Sequence, residues 1–238
     1  PEVGIAAING PTSIVISGEE GPALEVAAHF EERGRRVKRL TVSHAFHSAL
    51  MNPMLPEFRT VTAGVGYGQP TIPIVSNVTG ELATAEQVSS PDYWVEHVRA
   101  AVRFCDGVRT LAEAGVTTFV ELGPNGVLTG MAQGCLDDTD GVVFAPALRK
   151  DKPETHAALA ALGALWTRGA DVNWAAALYT GTDAVNVDLP TYAFDHKHYW
   201  LTRSGSGGTI RSLGLETADH AMLGPVIQPV DADSYVLT

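Results

Sequence analysis

Apolar and polar residues alternate in two short runs near the start of the chain, which is typical of β-strands. The runs cover residues 5–8 and 13–17, and the Asn-Gly-Pro-Thr segment between them favours a turn, so we predict a hairpin. A helical pattern follows, with Pro22 in its first turn and Gly34 just beyond its end. Apolar residues interleaved with basic ones at 37–42 then predict an edge strand.

The middle of the chain contains longer helical patterns. Apolar residues spaced over 51–61 predict a helix with one apolar face, and Pro56 predicts a kink or a late start in it. Residues 72–75 predict a buried strand. Residues 94–112 keep helical spacing and predict one long amphipathic stretch that ends at Gly115.

The second half alternates strand and helix patterns. β-branched residues at 117–122 and 142–148 predict strands, and residues 127–136 predict a short helix between them. A helix rich in alanine and leucine is predicted over 153–168. This alternation predicts an α/β fold with a mostly parallel sheet.

The last part of the chain changes in composition. Residues 189–201 are rich in aromatic side chains and predict an extended strap, and residues 204–208 have the composition of a linker. The residues after the linker are too few to bury a core of their own. We therefore expect that the chain begins inside one domain and ends inside another.

Composition excludes several classes of protein. The chain has 238 residues, of which 45% are hydrophobic, and its longest apolar runs are far shorter than the roughly 20 residues of a membrane span. A net charge of −11 argues against nucleic acid as a partner. Cys105 and Cys135 lack metal-type spacing, so we expect a protein of the reducing cytoplasm. One stretch is basic and contains Arg33, Arg35, Arg36, Lys38 and Arg39.

The chemically suggestive segment covers residues 42–51 and places two histidines between a predicted strand and a predicted helix. The positive end of the helix dipole disfavours an imidazolium there, which would keep a ring available as a base. Taken alone, the pattern favours a structural role for these histidines over a catalytic one. The pairs His44 with His47 and His196 with His198 have no further ligands at compatible spacing, so no metal site is expected.

Six motifs in a fixed order make the sequence resemble the acyltransferase domains of type I modular polyketide synthases, and through them the malonyl-CoA:acyl carrier protein transacylases. They are Asn9-Gly10-Pro11 with the run at 14–18, His44-Ala45-Phe46-His47 with Ser48-Ala49-Leu50-Met51, residues 73–80, Tyr93-Trp94-Val95, residues 121–128 and the strap at 189–201. The resemblance covers about residues 4–201.

The resemblance implies the domain organisation. Residues 1–42 would be part of a ferredoxin-like small subdomain, and residues 43–150 the C-terminal part of an α/β-hydrolase-like large subdomain. Residues 151–203 would be a helix and an aromatic linker. Residues 204–238 would begin with a linker, and a separate resemblance, of residues 219–225 and 235–237 to the opening strand of a dehydratase domain, implies the start of such a domain. The catalytic histidine of that domain is expected beyond Thr238, so His220 is not that residue.

The resemblance also implies a mechanism. In such enzymes a serine in a Gly-x-Ser-x-Gly elbow attacks the malonyl thioester, and a histidine, here His47, takes the serine proton. No such elbow occurs in the sequence. The nucleophile, the oxyanion hole and the arginine that binds the carboxylate are expected upstream, so the isolated chain is expected to be inactive. Expected partners are malonyl-CoA, the phosphopantetheine arm of an acyl carrier protein and the other synthase domains, with no bound cofactor and no membrane.

Further residues receive roles from the resemblance. His44, Ala45 and Phe46 would select malonyl, because a bulky aromatic fills the space that a 2-methyl branch would need. His97 would orient His47 through its main-chain carbonyl, or else lie on a helix surface. Weaker assignments are Asn9, Ser76 and Asn77 to the acyl cleft, against a turn-forming role, and Arg35, Arg36 and Lys38 to carrier or coenzyme A contact, against a solvated face.

Two other functions stay open. The chain could be a non-catalytic linker and docking scaffold of a synthase. It could also belong to a serine hydrolase, which differs from a transferase in the acceptor that reaches the acyl-enzyme.

Overall fold

The computed structural model describes residues 2–183, 185, 187–193, 197, 215–217, 225–227 and 236–237. The chain divides into two units, Pro1–Thr182 and Asp183–Thr238. The first unit contains a hairpin, a series of helices and a pair of parallel strands, and the second contains three short strands.

The predicted hairpin and the helix after it are confirmed. Strands β1 (Val3–Gly10) and β2 (Ser13–Gly18) pair antiparallel. Helix α1 (Glu20–Glu32) follows. Gly34 has a positive φ of 72°, and the N–H groups of Gly34 and Arg35 donate to the carbonyls of Glu31 and Phe30, both at 2.9 Å. This is the Schellman arrangement, which satisfies carbonyls at a helix end and favours glycine at that position.

The strand predicted over residues 37–42 is wrong. Residues 35–42 have no regular secondary structure, and Val37, Leu40 and Val42 are exposed. A strand needs a neighbour for its hydrogen bonds, and within the described residues the sheet of β1 and β2 has no third strand. The hairpin and helix of the expected small subdomain are therefore present without the third strand.

The next segment confirms one prediction and corrects another. A 3₁₀ turn (Ala49–Met54) precedes helix α2 (Leu55–Ala63), which has Pro56 in its first turn, so the late start at Pro56 is confirmed. The buried strand predicted at 72–75 is wrong. Ile72 and Ile74 are exposed, and the described segment forms a single bridge, between Val75 and Leu82.

The long helical stretch predicted over residues 94–112 is two helices. After α3 (Ala85–Val88) come α4 (Pro91–Arg99) and α5 (Phe104–Glu113), with Ala100 between them in an extended conformation. Val102 leaves the helical path to pair with β1: its N–H donates to the Ala6 carbonyl, and its carbonyl accepts from the Ile8 N–H, both at 2.8 Å. These hydrogen bonds to β1 override the helical propensity of the segment.

The predicted α/β layer is confirmed. Strand β3 (Thr118–Glu121), helix α6 (Val127–Gln133) and strand β4 (Val143–Pro146) form a unit in which the two strands pair in parallel. Helix α7 (Glu154–Trp166) packs on β4, and α8 (Trp174–Tyr179) follows. The core lies between α5, α6 and the strands, and it is made of Cys105, Val108, Ala132 and Cys135 with Ile8, Phe104, Phe119, Leu136 and Phe144 around them.

The second unit contains strands β5 (Glu216–Thr217), β6 (Pro225–Ile227) and β7 (Val236–Leu237), which pair antiparallel in that order. Residues 189–193 of the predicted strap have no regular secondary structure. The strap residues 194–196 and 198–201, the linker at 204–208 and His220 lie outside the described residues. Among the residues that the structure describes, no helix is long and apolar enough to cross a membrane.

Candidate active site

The turn before the 3₁₀ segment holds His47 in an uncommon backbone conformation. Its φ is 58°, the one positive φ among the described residues other than glycine. The His47 N–H donates to the Val98 carbonyl at 3.1 Å. A residue other than glycine keeps this conformation only when its surroundings hold it. The backbone of His47 is thus fixed by the end of α4.

The ring of His47 is fixed by the same helix end. Nδ1 lies 2.7 Å from the Ala100 carbonyl oxygen. A carbonyl only accepts hydrogen bonds, so Nδ1 carries the proton, and the neutral ring has its free lone pair on Nε2. Among the described residues, Nε2 has no hydrogen-bond partner. This half-buried imidazole is therefore arranged as a base.

The carbonyls that hold His47 also set its electrostatic surroundings. α4 ends at Arg99, so the carbonyls of Val98 and Ala100 accept from no residue of that helix's ladder. The C-terminal end of a helix carries partial negative charge and favours a cation. His47 thus lies just before the start of the 3₁₀ turn, as the sequence predicted, while its ring contacts the C-terminal end of α4.

Ser48 locks the same turn from the inside. It is 1% exposed, and its hydroxyl donates to the Ala45 carbonyl at 2.6 Å. The hydroxyl also accepts from the Leu50 N–H at 3.2 Å, which caps the 3₁₀ turn. The chain around His47 is therefore held on both sides of that residue.

His97 lies beside His47, but it does not orient His47 in the predicted way. The carbonyl that accepts from the His47 ring belongs to Ala100, three residues further on. The side chain of His97 instead meets the His47 ring edge to face, with ring centroids 6.3 Å apart. Burial lowers the pKa of His97, and the charge that His47 can carry lowers this pKa further.

The three residues assigned to the acyl cleft form hydrogen bonds to residues near His47 or in the core, and not to His47 itself. Ser76 is buried, and its hydroxyl lies 2.8 Å from the hydroxyl of Tyr93. The Asn77 carbonyl accepts from the Arg103 N–H at 2.8 Å. Asn9 is the second-last residue of β1, and its carbonyl accepts from the Cys135 thiol at 3.2 Å. These contacts connect each of them to α4, to the break after it or to the core, and not to the His47 ring.

The three residues before His47 are held more loosely. His44 and Phe46 are exposed, with 49% of Phe46 accessible, and Ala45 is half-buried. The rings of His44 and Phe46 lie 6.0 Å apart, and His44 Nδ1 is 3.0 Å from the Ser43 hydroxyl. Phe46 thus offers an accessible apolar surface directly beside the base.

The predicted basic contacts lie on the exposed segment that precedes this turn. Arg35, Arg36 and Lys38 are all exposed. Arg39, next to them, forms an ion pair with Glu20 of α1 at 2.7 Å. The segment therefore presents positive charge to solvent and takes no part in the contacts of the His47 ring.

A second turn, between β3 and α6, contains a buried carboxylate that the sequence reasoning did not identify. Glu121 is 8% exposed and accepts hydrogen bonds from the N–H groups of Leu128 and Thr129 and from the Thr129 hydroxyl, at 2.8–3.0 Å. Burial on its own would raise the pKa of Glu121, but these hydrogen bonds outweigh it and hold the pKa below its ordinary value. Glu121 is therefore an ionised cap of α6.

The described residues offer no alternative chemistry of comparable quality. They contain no group of three or more histidine, cysteine, aspartate or glutamate side chains that could hold a metal. Both cysteines are free and buried. Burial, reinforced by Cys105, raises the pKa of the Cys135 thiol to about 12, so this thiol is not a nucleophile at neutral pH.

Sequence reasoning missed the partners of His47 for one reason. The Val98 and Ala100 groups that hold it are main-chain carbonyls, which any residue supplies. The helix break that frees them has no glycine or proline to announce it. Ser48 did carry a usable signal, because serine directly before a helix is a common N-cap.

The sequence matches the acyl transferase domain family over residues 1–172. It is 48% identical over 242 residues to polyketide synthase GfsB of Streptomyces halstedii, covering 99% of this chain and 4% of that protein. It is 49% identical over 238 residues to the phenolphthiocerol synthesis polyketide synthase Pks15/1 of Mycobacterium marinum, covering 99% of this chain and 11% of that protein.

Solved structures show the same likeness. The acyltransferase domain from the second module of the salinomycin polyketide synthase is 55% identical with a TM-score of 0.72, over 81% of this chain and 45% of that one. A malonyl-transacylase solved in complex with a type II acyl carrier protein is 28% identical with a TM-score of 0.58, over 68% of this chain and 50% of that one. The chain thus spans about half of these solved chains and a small part of the curated synthases.

Proposed function

This chain belongs to the acyl transferase domain family, and from that premise we propose that it supplies the general base of a polyketide synthase acyltransferase that moves malonyl from coenzyme A to an acyl carrier protein. The observation that carries the proposal is the His47 ring, whose Nδ1 donates to the Ala100 carbonyl and leaves Nε2 free. The relatives named above support an acyl-transfer reaction, since they are polyketide synthases and a malonyl-transacylase.

The proposed reaction has two steps. In the first, Nε2 of His47 takes the proton of a serine hydroxyl while the serine oxygen attacks the malonyl thioester carbonyl. The tetrahedral intermediate then expels the coenzyme A thiolate, which takes the proton back from Nε2, and an acyl-serine remains. In the second step Nε2 takes the proton of the phosphopantetheine thiol, whose sulfur attacks the acyl-serine, and the serine oxygen regains the proton.

The serine belongs to a part of the protein outside these 238 residues. The sequence contains no Gly-x-Ser-x-Gly elbow, and the salinomycin domain is about twice the length that this chain covers. What this chain contributes is the base, its tautomer and the helix end that holds it. On this proposal the isolated chain forms no acyl-enzyme, because the base has no nucleophile to activate.

We assign the choice of malonyl to Phe46, with His44 beside it. Phe46 directly precedes the base and is half accessible, so its ring can occupy space next to the reacting carbonyl. A site that already contains an aromatic ring there leaves less room for a 2-methyl branch on the acyl group. Excluding one methyl group is worth roughly 1 to 3 kcal/mol, so the selectivity is expected to be substantial but not absolute.

The decisive experiment uses the complete acyltransferase domain, meaning this chain joined to the rest of its own domain. Labelled malonyl-CoA should give a stable acyl-serine that passes its label to holo acyl carrier protein. A scaffold would not label, and a hydrolase would release malonate without any carrier protein. His47→Asn should slow labelling, whereas His156→Asn, at an exposed position on α7, should not. Equal rates for the two variants would remove His47 from the mechanism.

A further inference from the structure

The His47 ring has a second neighbour besides the Ala100 carbonyl. The ring of His97 meets it at an interplanar angle of 66°, with centroids 6.3 Å apart. We propose that the His97 side chain is a positioning residue, which limits rotation of the His47 imidazole and keeps Nε2 aimed at the proton that it takes. This inference rests on the role proposed above for His47.

A single hydrogen bond does not fix an imidazole completely. The bond from Nδ1 to the Ala100 carbonyl holds one atom of the ring, but the ring can still swing about the line that joins the two groups. Nε2 lies on the far side of the ring and moves with that swing. A second contact, from the His97 ring, restrains it. Both contacts come from the end of α4, so one rigid element supplies them.

His97 is itself packed against anchored rings. Tyr93 and Trp94 lie one helical turn earlier on the same face of α4, with centroids 6.0 and 6.1 Å from the His97 ring. The Tyr93 hydroxyl lies 2.8 Å from the Ser76 hydroxyl, and the Trp94 indole N–H donates to the Val88 carbonyl at 2.9 Å. The His97 ring therefore has little freedom to move away from His47.

The contribution proposed for His97 is geometric, because its ring lies against the His47 ring. The pKa of His97 is shifted away from the charged form. Burial lowers the pKa of His97, and a charge on His47 lowers it further. Arg59 of α2 pairs with Asp92, and Arg99 bonds to Asn52 of the uncharged 3₁₀ turn. Helices α2 and α3 pack against α4. The charged side chains on these three helices are Glu57, Arg59, Glu86, Asp92, Glu96 and Arg99.

The test compares His97→Leu with His97→Phe in the complete domain. Leucine fills similar volume without a planar ring, and phenylalanine keeps the ring without a titratable group. For His97→Leu we expect kcat of acyl-serine formation to fall about 10-fold and at most about 10²-fold, the cost of a 1 Å misplacement. KM for malonyl-CoA should be unchanged. His97→Phe should recover most of the rate, and the acid limb of its pH–rate profile should match the wild type.

Wild-type kcat in His97→Leu would overturn the inference, and so would a His97→Phe variant as slow as His97→Leu. If His97→Leu does not fold, His97→Phe decides alone: a near-wild-type kcat supports ring packing, and a lost rate contradicts it. His156→Leu on α7 is the control for a histidine far from the turn. A slow His47→Asn with a fast His97→Leu would contradict this inference alone, whereas a fast His47→Asn would contradict the proposed function.

Discussion

Two turns of this molecule bury a polar side chain between an extended segment and a helix, and they use it in opposite ways. In the turn around His47, the main-chain carbonyl of Ala100 holds the ring at Nδ1 and leaves Nε2 without a partner among the described residues. In the turn after β3, Glu121 turns its carboxylate onto the N–H groups of α6, and both oxygens accept from that helix.

This difference shows how a reactive group can be told from a structural one. Both side chains are at least half-buried and both are hydrogen-bonded, so burial alone does not separate them. The useful question is whether an atom capable of chemistry remains after the hydrogen bonds are assigned. Among the described residues, Nε2 of His47 keeps a lone pair that accepts no hydrogen bond. Both carboxylate oxygens of Glu121, by contrast, accept hydrogen bonds from donors on α6.

The largest expected effect comes from replacing the imidazole of His47, which removes Nε2. His47→Asn should slow acyl-serine formation by roughly 10²- to 10⁴-fold, the usual range for a positioned base. Asparagine tolerates a positive φ, so the backbone at 58° should survive and the thermal midpoint should change little. Rapid-quench labelling with malonyl-CoA measures the rate. An equal loss in Glu121→Gln, measured on folded protein, would contradict the contrast between the turns.

The next effect concerns the accessible residues beside the base. Changing His44-Ala45-Phe46 to Tyr-Ala-Ser should shift the ratio of kcat/KM for malonyl-CoA over methylmalonyl-CoA by roughly 10- to 200-fold toward methylmalonyl. Some loss of total rate is expected because His47 follows directly. Competition between the two thioesters measures the ratio. An unaltered ratio in a folded, active variant would place selectivity elsewhere.

The second turn should respond in stability and not in chemistry. Glu121→Gln replaces one carboxylate oxygen with an amide nitrogen, which cannot accept a hydrogen bond from α6. At pH 7 we expect a loss of roughly 1–3 kcal/mol in the free energy of unfolding. The folded pKa of Glu121 is lowered, so the stabilisation is present above the unfolded pKa and is lost as pH falls through the folded value.

The matching measurement is thermal unfolding of the complete domain and of Glu121→Gln from pH 7 down to a pH below the lowered pKa of Glu121. The two midpoints should differ most at neutral pH and approach each other under acidic conditions. Glu113→Gln, at an exposed position on α5, is the control. A constant gap between wild type and Glu121→Gln over this range would show that the ionised form of Glu121 contributes nothing.

The sequence predicted the local elements better than the contacts that make the site. The β1–β2 hairpin, α1 with its glycine at 34, β3, α6, β4 and α7 follow from short-range patterns and were predicted. The strands expected at 37–42 and 72–75 failed because a strand depends on a distant partner, which a local pattern does not contain. The break at Ala100 failed for the same reason, since Val102 leaves the helix to pair with β1.

The predictions for the site show the same contrast between local sequence patterns and contacts with distant residues. His47 was predicted to act as the base because its neighbours resemble a known motif, and among the described residues its Nε2 has no hydrogen-bond partner. Its holding groups were misassigned to His97 because a main-chain carbonyl has no sequence signature. Glu121 was quoted as part of a motif, but its role as a cap emerged only from the three donors around it. Side-chain chemistry can thus be read from sequence, whereas main-chain chemistry needs coordinates.

The smallest effect is expected at the exposed segment that leads into the first turn. Unlike the side chains of His47 and Glu121, those of Arg36 and Lys38 are exposed, so they can act on a partner only through long-range charge. If an acidic carrier protein approaches here, reversing both charges to glutamate should raise the apparent KM for carrier protein by roughly 3- to 10-fold at low salt. The rate of malonyl-serine formation should stay unchanged. The difference in apparent KM between the variant and the wild type should shrink as salt screens the charges.

Lys150→Glu with Lys152→Glu, an equal charge change on another exposed stretch, is the control. Carrier-protein kinetics that match this control at every salt concentration would assign the segment to solvent alone.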